Sequence, residues 1–250
     1  MPGTTAPVFL VAELPAGSSA VLEGDEARHA VTVRRMRAGE RLVLSDGAGS
    51  AADCVVTSVR PGRAPALELT VEERWSEPAP SLRVTVAQAL AKGDRGELAV
   101  ELATEAGADK ILPWRAERSV ARWDDGPRGT KALSRWRDTA RSAAKQARRS
   151  WVPEVAEPAG TPELAATAGK AAMALVLEGS AGQRLTELSL PPEGELLLVV
   201  GPEGGITDHE LAQLTAAGAL PVRLGPTVLR TSTAAAVALG ALGAMTSRWA

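Results

Sequence analysis

The sequence predicts two successive architectures: a small all-β unit, barrel or sandwich, and then a parallel α/β sheet with helices on both faces. Three observations carry that prediction. Residues 1 to about 75 hold stretches of two-residue alternation broken by turn signals at Asp46-Gly47, Pro61-Gly62 and Pro65, the pattern of short strands joined by tight turns. After the Pro-rich connector "SEPAPS", Ser76 to Ser81, strand-like runs alternate with helix-like ones. Several later strands, "AAMALVL" and "ELLLVVG" among them, are continuous apolar runs, as expected of parallel strands covered on both faces. The connector divides the chain into residues 1–75 and 78–250.

The elements follow in order. "EGDEARHAVTVRRMRAGE" predicts one short helix ending near Gly39, ahead of the alternating strands. "LRVTVAQAL" opens the second unit as a strand, and "DRGELAVELATEAG" follows as a helix with Leu98, Leu102 and Ala106 on its apolar face. "KILPW" is a strand. "TKALSRWRDTARSAAKQARRS" is a helix with Leu133, Trp136, Ala140, Ala143 and Ala147 on one face. "PEVAEP" predicts a short strand, "PELAATAG" a short helix, "DHELAQLTAAG" a helix, "LPVRLG" a strand, and Thr231 to about Arg248 the last helix.

Two Gly-Pro turns, each after an apolar strand and before a helix, stand out: "LLLVVGPEGG" and "LGPTVLRTSTAAA". Glycine lets a ligand touch the backbone and proline stiffens the loop. In open α/β sheets ligands sit beyond the carboxyl ends of the strands. Thr207 and Glu210 form a T-x-x-E capping box that starts the helix after the first turn. The pair predicts a small ligand held by main-chain groups. It is not a nucleoside triphosphate, because no G-x-x-x-x-G-K-[ST] occurs. The G-x-G-x-x-A string at Gly47, Gly49 and Ala52 lies between two predicted strands, so it reads as a hairpin turn.

Composition narrows the classes. A single cysteine, Cys54, rules out a disulfide framework and favours a reducing compartment; Cys54 itself reads as a buried strand residue. The start lacks a basic n-region, and Ala234 to Met245 falls short of a membrane span, so the protein is expected in the cytoplasm. The net charge of -2 does not announce a nucleic-acid binder, so such a role must rest on local patches. One lies between Arg128 and Arg149, where eight basic residues face one acid, Asp138. Arg137, Arg141 and Lys145 recur every four residues there, and like charges at that spacing repel, so the stripe predicts a facing anion such as RNA phosphate. Arg34, Arg35, Arg37 and Arg41 form a second cluster.

The runs Gly201 to Gly205 and Leu224 to Thr233 resemble the carboxy-terminal signatures of the SPOUT class of RNA methyltransferases. More closely, nearly the full chain resembles the RsmE family, the 16S ribosomal RNA uridine N3-methyltransferases. The likeness runs through "HAVTVRRMRAGERLVLSDG", "QALAKGDRGELAVELATEAGADKILPW", "ERSV", "KQARRSWVPEV", "LLVVGPEGGITDHEL" and "LGPTVLRTSTAAA". It implies a PUA-like β-barrel over residues 1–75 that helps hold RNA. It implies a methyltransferase domain over 78–250, with a deep trefoil knot within about 172–250. It also implies a homodimer acting on the small ribosomal subunit.

The cofactor implied is S-adenosyl-L-methionine, gripped by Leu177, Val200, Gly201, Pro202, Glu203, Gly204, Gly205, Leu224, Gly225, Pro226, Val228, Leu229 and Thr233. Arg230 and Arg118 are implied as catalytic through charge, which would favour the uridine anion, and Glu203 as an orienting group or proton acceptor. RNA contacts are expected from Arg34, Arg35, Arg37, Arg141, Lys145, Arg148 and Arg149. A sulfonium donor needs no metal, and the sequence has no Cys/His ligand cluster. Three positions depart from the family's pattern: Ser232 stands where an acid often sits, Thr227 where a base often sits, and Glu101 near a common lysine. Two alternatives accompany this reading, a methyltransferase for another RNA site and a non-catalytic RNA-binding protein.

Overall fold

Hydrophobic alternation builds the first part of the computed structural model, which describes residues 5–249. Strands β1 (Val8–Leu10), β2 (Ser19–Leu22), β3 (Arg41–Ser45), β4 (Ser50–Arg60) and β5 (Ala66–Ser76) form one sheet in the order β1-β3-β4-β5-β2. β1 runs parallel to β3 and the other pairs are antiparallel. The Gly47–Gly49 string sits in the β3–β4 hairpin, as its neighbours predicted. Phe9, Leu42, Leu44, Cys54, Leu67 and Leu69 fill the core. Burial, then the neighbouring Asp53 carboxylate, push the Cys54 thiol up to about 11.

The first helix is shorter than the sequence suggested. α1 (Gly24–Arg28) continues as a π-helical turn, His29–Val33, and stops there. Arg35 adopts a left-handed φ of 54° that ends the helix, and Met36 turns inward to 6% exposure. The described chain separates into two compact units, and residues 144–152 cluster with the first rather than the second. Within that first unit, Trp151 lies against Gly49 and donates to the Glu77 carbonyl at 3.0 Å.

The second unit holds a six-stranded, all-parallel sheet. Its strands are β6 (Leu82–Ala89), β7 (Lys110–Trp114), β8 (Glu154–Val155), β9 (Met173–Leu177), β10 (Gly194–Val200) and β11 (Leu220–Val222), in the order β11-β9-β10-β6-β7-β8. In β10, Leu196, Leu198 and Val200 enter one apolar core, and Leu197 and Val199 enter the other. That explains its unbroken apolar run: both faces are covered. On the first face lie α2 (Arg95–Glu105), α3 (Pro127–Gln146) and α6 (Thr231–Met245); on the other lie α4 (Thr161–Ala168) and α5 (Asp208–Ala216).

Three helices differ from expectation, α3 because it ends at Gln146 and leaves Ala147 exposed beyond it. The buried face of α2 is Gly96, Ala99, Val100, Ala103 and Thr104, while Leu98 is 41% exposed. Small residues win the inward positions because α2 packs against the Ala/Gly-rich α6, where leucine would hold the two apart. α6 ends at Met245, since Thr246 is extended, and a short 3₁₀ turn closes the chain. There Arg248, with 9% of its side chain exposed, pairs with Asp109 at 2.8 Å. No helix among the described residues is long and apolar enough to cross a membrane.

Candidate active site

Three neighbouring strands finish level with one another. Val200 of β10 and Val222 of β11 both pair with Leu177, the last residue of β9. The loops that leave these strands surround a cavity of about 620 Å³ at the carboxyl edge of the sheet. That volume falls in the range of small-molecule sites, about 300–1,000 Å³. Leu177, Val200, Gly201, Pro202, Glu203 and Gly205 line it from the first side, and Leu224, Gly225, Val228, Leu229 and Arg230 from the second. Gly204, Pro226 and Thr233, expected in the same set, do not line it.

The first turn is engaged by the protein's own groups. A Cβ at Gly201 would meet Ile206 Cγ1 at 2.7 Å, and one at Gly204 would meet Arg118 Cβ at 3.1 Å and its carbonyl at 3.3 Å. The close approach of Arg118 alone is enough to require a bare backbone at Gly204. Gly205 takes a left-handed φ of 76° and its N–H donates to the Pro202 carbonyl at 2.9 Å. The Gly204 carbonyl accepts from Arg118 Nη1 at 3.2 Å, and the Gly201 carbonyl from Thr231 Oγ1 at 2.7 Å. Glu203 Oε1 accepts from the Lys92 N–H at 3.2 Å, which ties the turn to the loop before α2.

Behind this turn stands Glu210, wholly buried. It caps α5 through Thr207 as predicted. Its other oxygen accepts from the Glu117 N–H at 2.9 Å and from Thr161 Oγ1 at 3.1 Å. The segment carrying Arg118 is thereby held beside the turn.

The second turn is open. A Cβ at Gly225 would meet nothing within 4 Å, and Val228 is 94% exposed. Among the described residues no backbone–backbone hydrogen bond involves residues 224–229. Unpaired main-chain groups beside a cavity are what a ligand held through the backbone requires.

The comparisons with known proteins decide the family. Residues 77–243 match the model of an RNA methyltransferase domain, and residues 22–64 that of an RNA methyltransferase PUA domain. The ribosomal RNA small subunit methyltransferase E of Mycobacterium bovis is 54% identical over 247 residues, covering 97% of this chain and 93% of that protein. The chain belongs to the ribosomal RNA small subunit methyltransferase E family. The Bacillus subtilis member is 33% identical over 234 residues, covering 90% of each. Among solved structures, methyltransferase E from Neisseria gonorrhoeae, bound to S-adenosyl methionine, superposes with a TM-score of 0.84 at 29% identity, covering 96% of this chain and 98% of that one. A Legionella pneumophila methyltransferase in complex with the same cofactor gives 0.86 at 27% identity, covering 97% and 99%. Membership in this methyltransferase family sets aside the non-catalytic alternative.

In this member of the methyltransferase E family the basic residues divide. The stripe expected along α3 does not face an unassigned anion throughout. Arg137 pairs with Glu157 at 2.9 Å and also donates to the Val155 carbonyl. Lys145 donates to both Glu26 oxygens, at 2.8 and 2.7 Å, and lies over the Phe9 ring. Its ammonium is held by Glu26, where the sequence pattern predicted a facing RNA phosphate. Arg141 is exposed, with no ion pair or hydrogen bond from its side chain among the described residues. Arg34, Arg35 and Arg37 are exposed. Arg148 takes a left-handed φ of 53° and donates to the Thr5 carbonyl at 3.2 Å; Arg149 is half-buried. Arg35 and Arg148 are the two non-glycine residues with positive φ among those described.

Sequence reading of this methyltransferase E chain missed Arg95, Arg223, Glu178 and Thr231, all of which line the cavity. Arg95 had a usable signal: it follows the carboxyl end of a predicted strand, where α/β ligands gather. Of the three departures from the family's pattern, Thr227 lines the cavity, Ser232 is buried to 2% exposure and Glu101 is exposed. Among the described residues no group of three His, Cys, Asp or Glu side chains is placed to hold a metal.

Proposed function

We propose that this chain transfers the methyl group of S-adenosyl-L-methionine to N3 of a uridine in 16S ribosomal RNA of the small subunit. The observation that carries the reading is the second turn: unpaired main chain and an open Gly225 facing a cavity at the carboxyl ends of β9, β10 and β11. The cofactor would supply an electrophilic methyl on a sulfonium, and the residues of both turns would hold it. Arg230 is exposed at the cavity, with no side-chain partner among the described residues. In this reading its charge, with that of Arg118, favours the uridine anion formed as the N3 proton leaves. Orienting the two reactants supplies much of the rate.

Glu203 orients its turn. Exposed Arg34, Arg35, Arg37 and Arg141, with Arg148 and Arg149, hold RNA phosphate. The reading includes a PUA-like barrel over residues 1–75, a methyltransferase domain over 78–250, a trefoil knot within about 172–250, a homodimer and a place in the cytoplasm. It is supported by the family assignment and by cofactor-bound structures of relatives.

Two measurements test it. Calorimetry is expected to show binding of S-adenosylhomocysteine. Mass mapping of small-subunit RNA from a deletion strain, with and without this chain restored, is expected to show one uridine regaining a single methyl at N3. A restored methyl on another base or atom would overturn the specificity; no restored methyl, with no binding, would overturn the whole reading.

A further inference from the structure

The two turns are joined by a short chain of hydrogen bonds that runs through Thr231 and ends on Gln88, a residue outside both turns. Thr231, the first residue of α6, follows directly on the second turn and is 6% exposed. Its hydroxyl donates to the carbonyl of Gly201, the first residue of the first turn, at 2.7 Å. A hydroxyl has one hydrogen to give, so Thr231 can then only accept from its other neighbour. That neighbour is Gln88, near the carboxyl end of β6, whose Nε2 reaches Thr231 Oγ1 at 3.0 Å.

The same Nε2 donates to the Ala89 carbonyl at 3.2 Å. Both partners demand a donor, which fixes which end of the amide is nitrogen. Gln88 Oε1 is left with no partner among the described residues, in a side chain that is 2% exposed. A buried acceptor without a partner is costly. The fold accepts that cost where it keeps the nitrogen on Thr231. Register places Gln88 beside Val200, the residue before Gly201, so the amide sits directly behind the first turn.

We infer that Gln88 is a positioning residue: through Thr231 it holds the Gly201 carbonyl and the start of α6 in one arrangement, so that the two turns take up their cavity-facing geometry together. Gln88 does not itself line the cavity. Its effect on a ligand passes through Thr231, which does. The inference rests on the reading of the cavity as the methyl-donor site only for its binding readout. The mechanical coupling stands apart from that reading.

The experiment uses the full-length protein and two readouts. Amide hydrogen exchange by mass spectrometry follows residues 203–206 of the first turn and residues 233–236 at the start of α6 without ligand, and calorimetry measures S-adenosylhomocysteine affinity. Gln88→Leu and Thr231→Val are each expected to speed exchange in both segments and to weaken binding about tenfold, the scale of one buried hydrogen bond with an unpaired partner. The double variant is expected to be no worse than the weaker single, because one chain has been cut twice. Thr231→Ser, which keeps the hydroxyl, is expected to recover most of the loss.

A merely structural role would lower the melting temperature while leaving exchange in the first turn and at the start of α6 uncorrelated. Exchange rising in only one of these segments, effects that multiply in the double variant, or Thr231→Ser as weak as Thr231→Val would overturn the inference. Should Gln88→Leu fail to fold, Gln88→Asn, one methylene too short to reach Thr231, carries the same comparison. Wild-type protein that fails to bind S-adenosylhomocysteine would overturn the functional reading, and the exchange results would still decide the coupling.

Discussion

In the first Gly-Pro turn the main chain is already held by protein groups; in the second it is not. Gly201 makes room for Ile206 and Gly204 for Arg118, and the carbonyls of both are taken by Thr231 and Arg118. Across Leu224–Leu229 no backbone partner occurs among the described residues, and nothing approaches a Cβ at Gly225. The letters Gly-Pro are the same in both. The difference teaches that a glycine in a loop answers either to its own fold or to something the fold does not contain, and only the neighbours of the missing Cβ tell which.

The sharpest way to break this comparison is Gly225→Val. Its φ lies outside the left-handed region and its surroundings are empty, so folding should tolerate the side chain. The expected result is a melting temperature within about 1 °C of wild type, the ordinary outcome for an unstrained surface position, with S-adenosylhomocysteine binding weakened more than about tenfold. A drop in stability with binding retained would place Gly225 with the structural glycines.

Gly201→Ala should do the reverse first. The new methyl meets Ile206 Cγ1 at 2.7 Å, and such overpacking costs about 1–3 kcal/mol. In a chain of this size that lowers the melting temperature by about 2–12 °C. The cost should largely vanish in an Ile206→Ala background, which removes the colliding atoms. A third variant, Thr207→Ala, removes the hydroxyl that accepts from the Glu210 N–H at 3.2 Å and donates to its Oε2 at 3.1 Å. Loss of an N-cap costs about 1 kcal/mol, read by thermal unfolding.

Much of the second unit was legible because periodicity reports burial on both faces. Strands such as Leu196–Val200 must be covered above and below, whatever covers them. The order of strands was not legible, since it depends on which distant runs pair. Neither were the partners of Arg137 and Lys145. A helix shows its own charges at four-residue spacing, but Glu157 and Glu26 come from elsewhere in the chain. The capping box of α5 was legible because both partners lie within one turn of helix. The further duties of Glu210, towards Glu117 and Thr161, needed the fold. Site residues followed the same rule. Most cavity-lining residues of the two turns were named; Arg223 and Thr231 at the edges of the second turn were not, nor was Arg95, far off in sequence.

Glu203 gives the smallest expected effect and the finest test of how self-contained the first turn is. A proton acceptor and a clamp make different demands on the carboxylate. A clamp needs one oxygen lone pair aimed at a donor, and Glu203 Oε1 has that on the Lys92 N–H at 3.2 Å. An amide oxygen supplies the same lone pair without the basicity. Glu203→Ala should therefore release the loop at residues 91–94, with faster amide exchange there and a loss of about 0.5–1.5 kcal/mol, the net worth of one hydrogen bond. Glu203→Gln should restore slow exchange. Because Arg95 follows that loop and lines the cavity, methyl transfer should track the exchange rate across the two variants if the clamp is the whole role. Transfer lost in the glutamine variant while the loop stays closed would instead give Glu203 a proton to carry, and the first turn would then share the second's openness to a reactant.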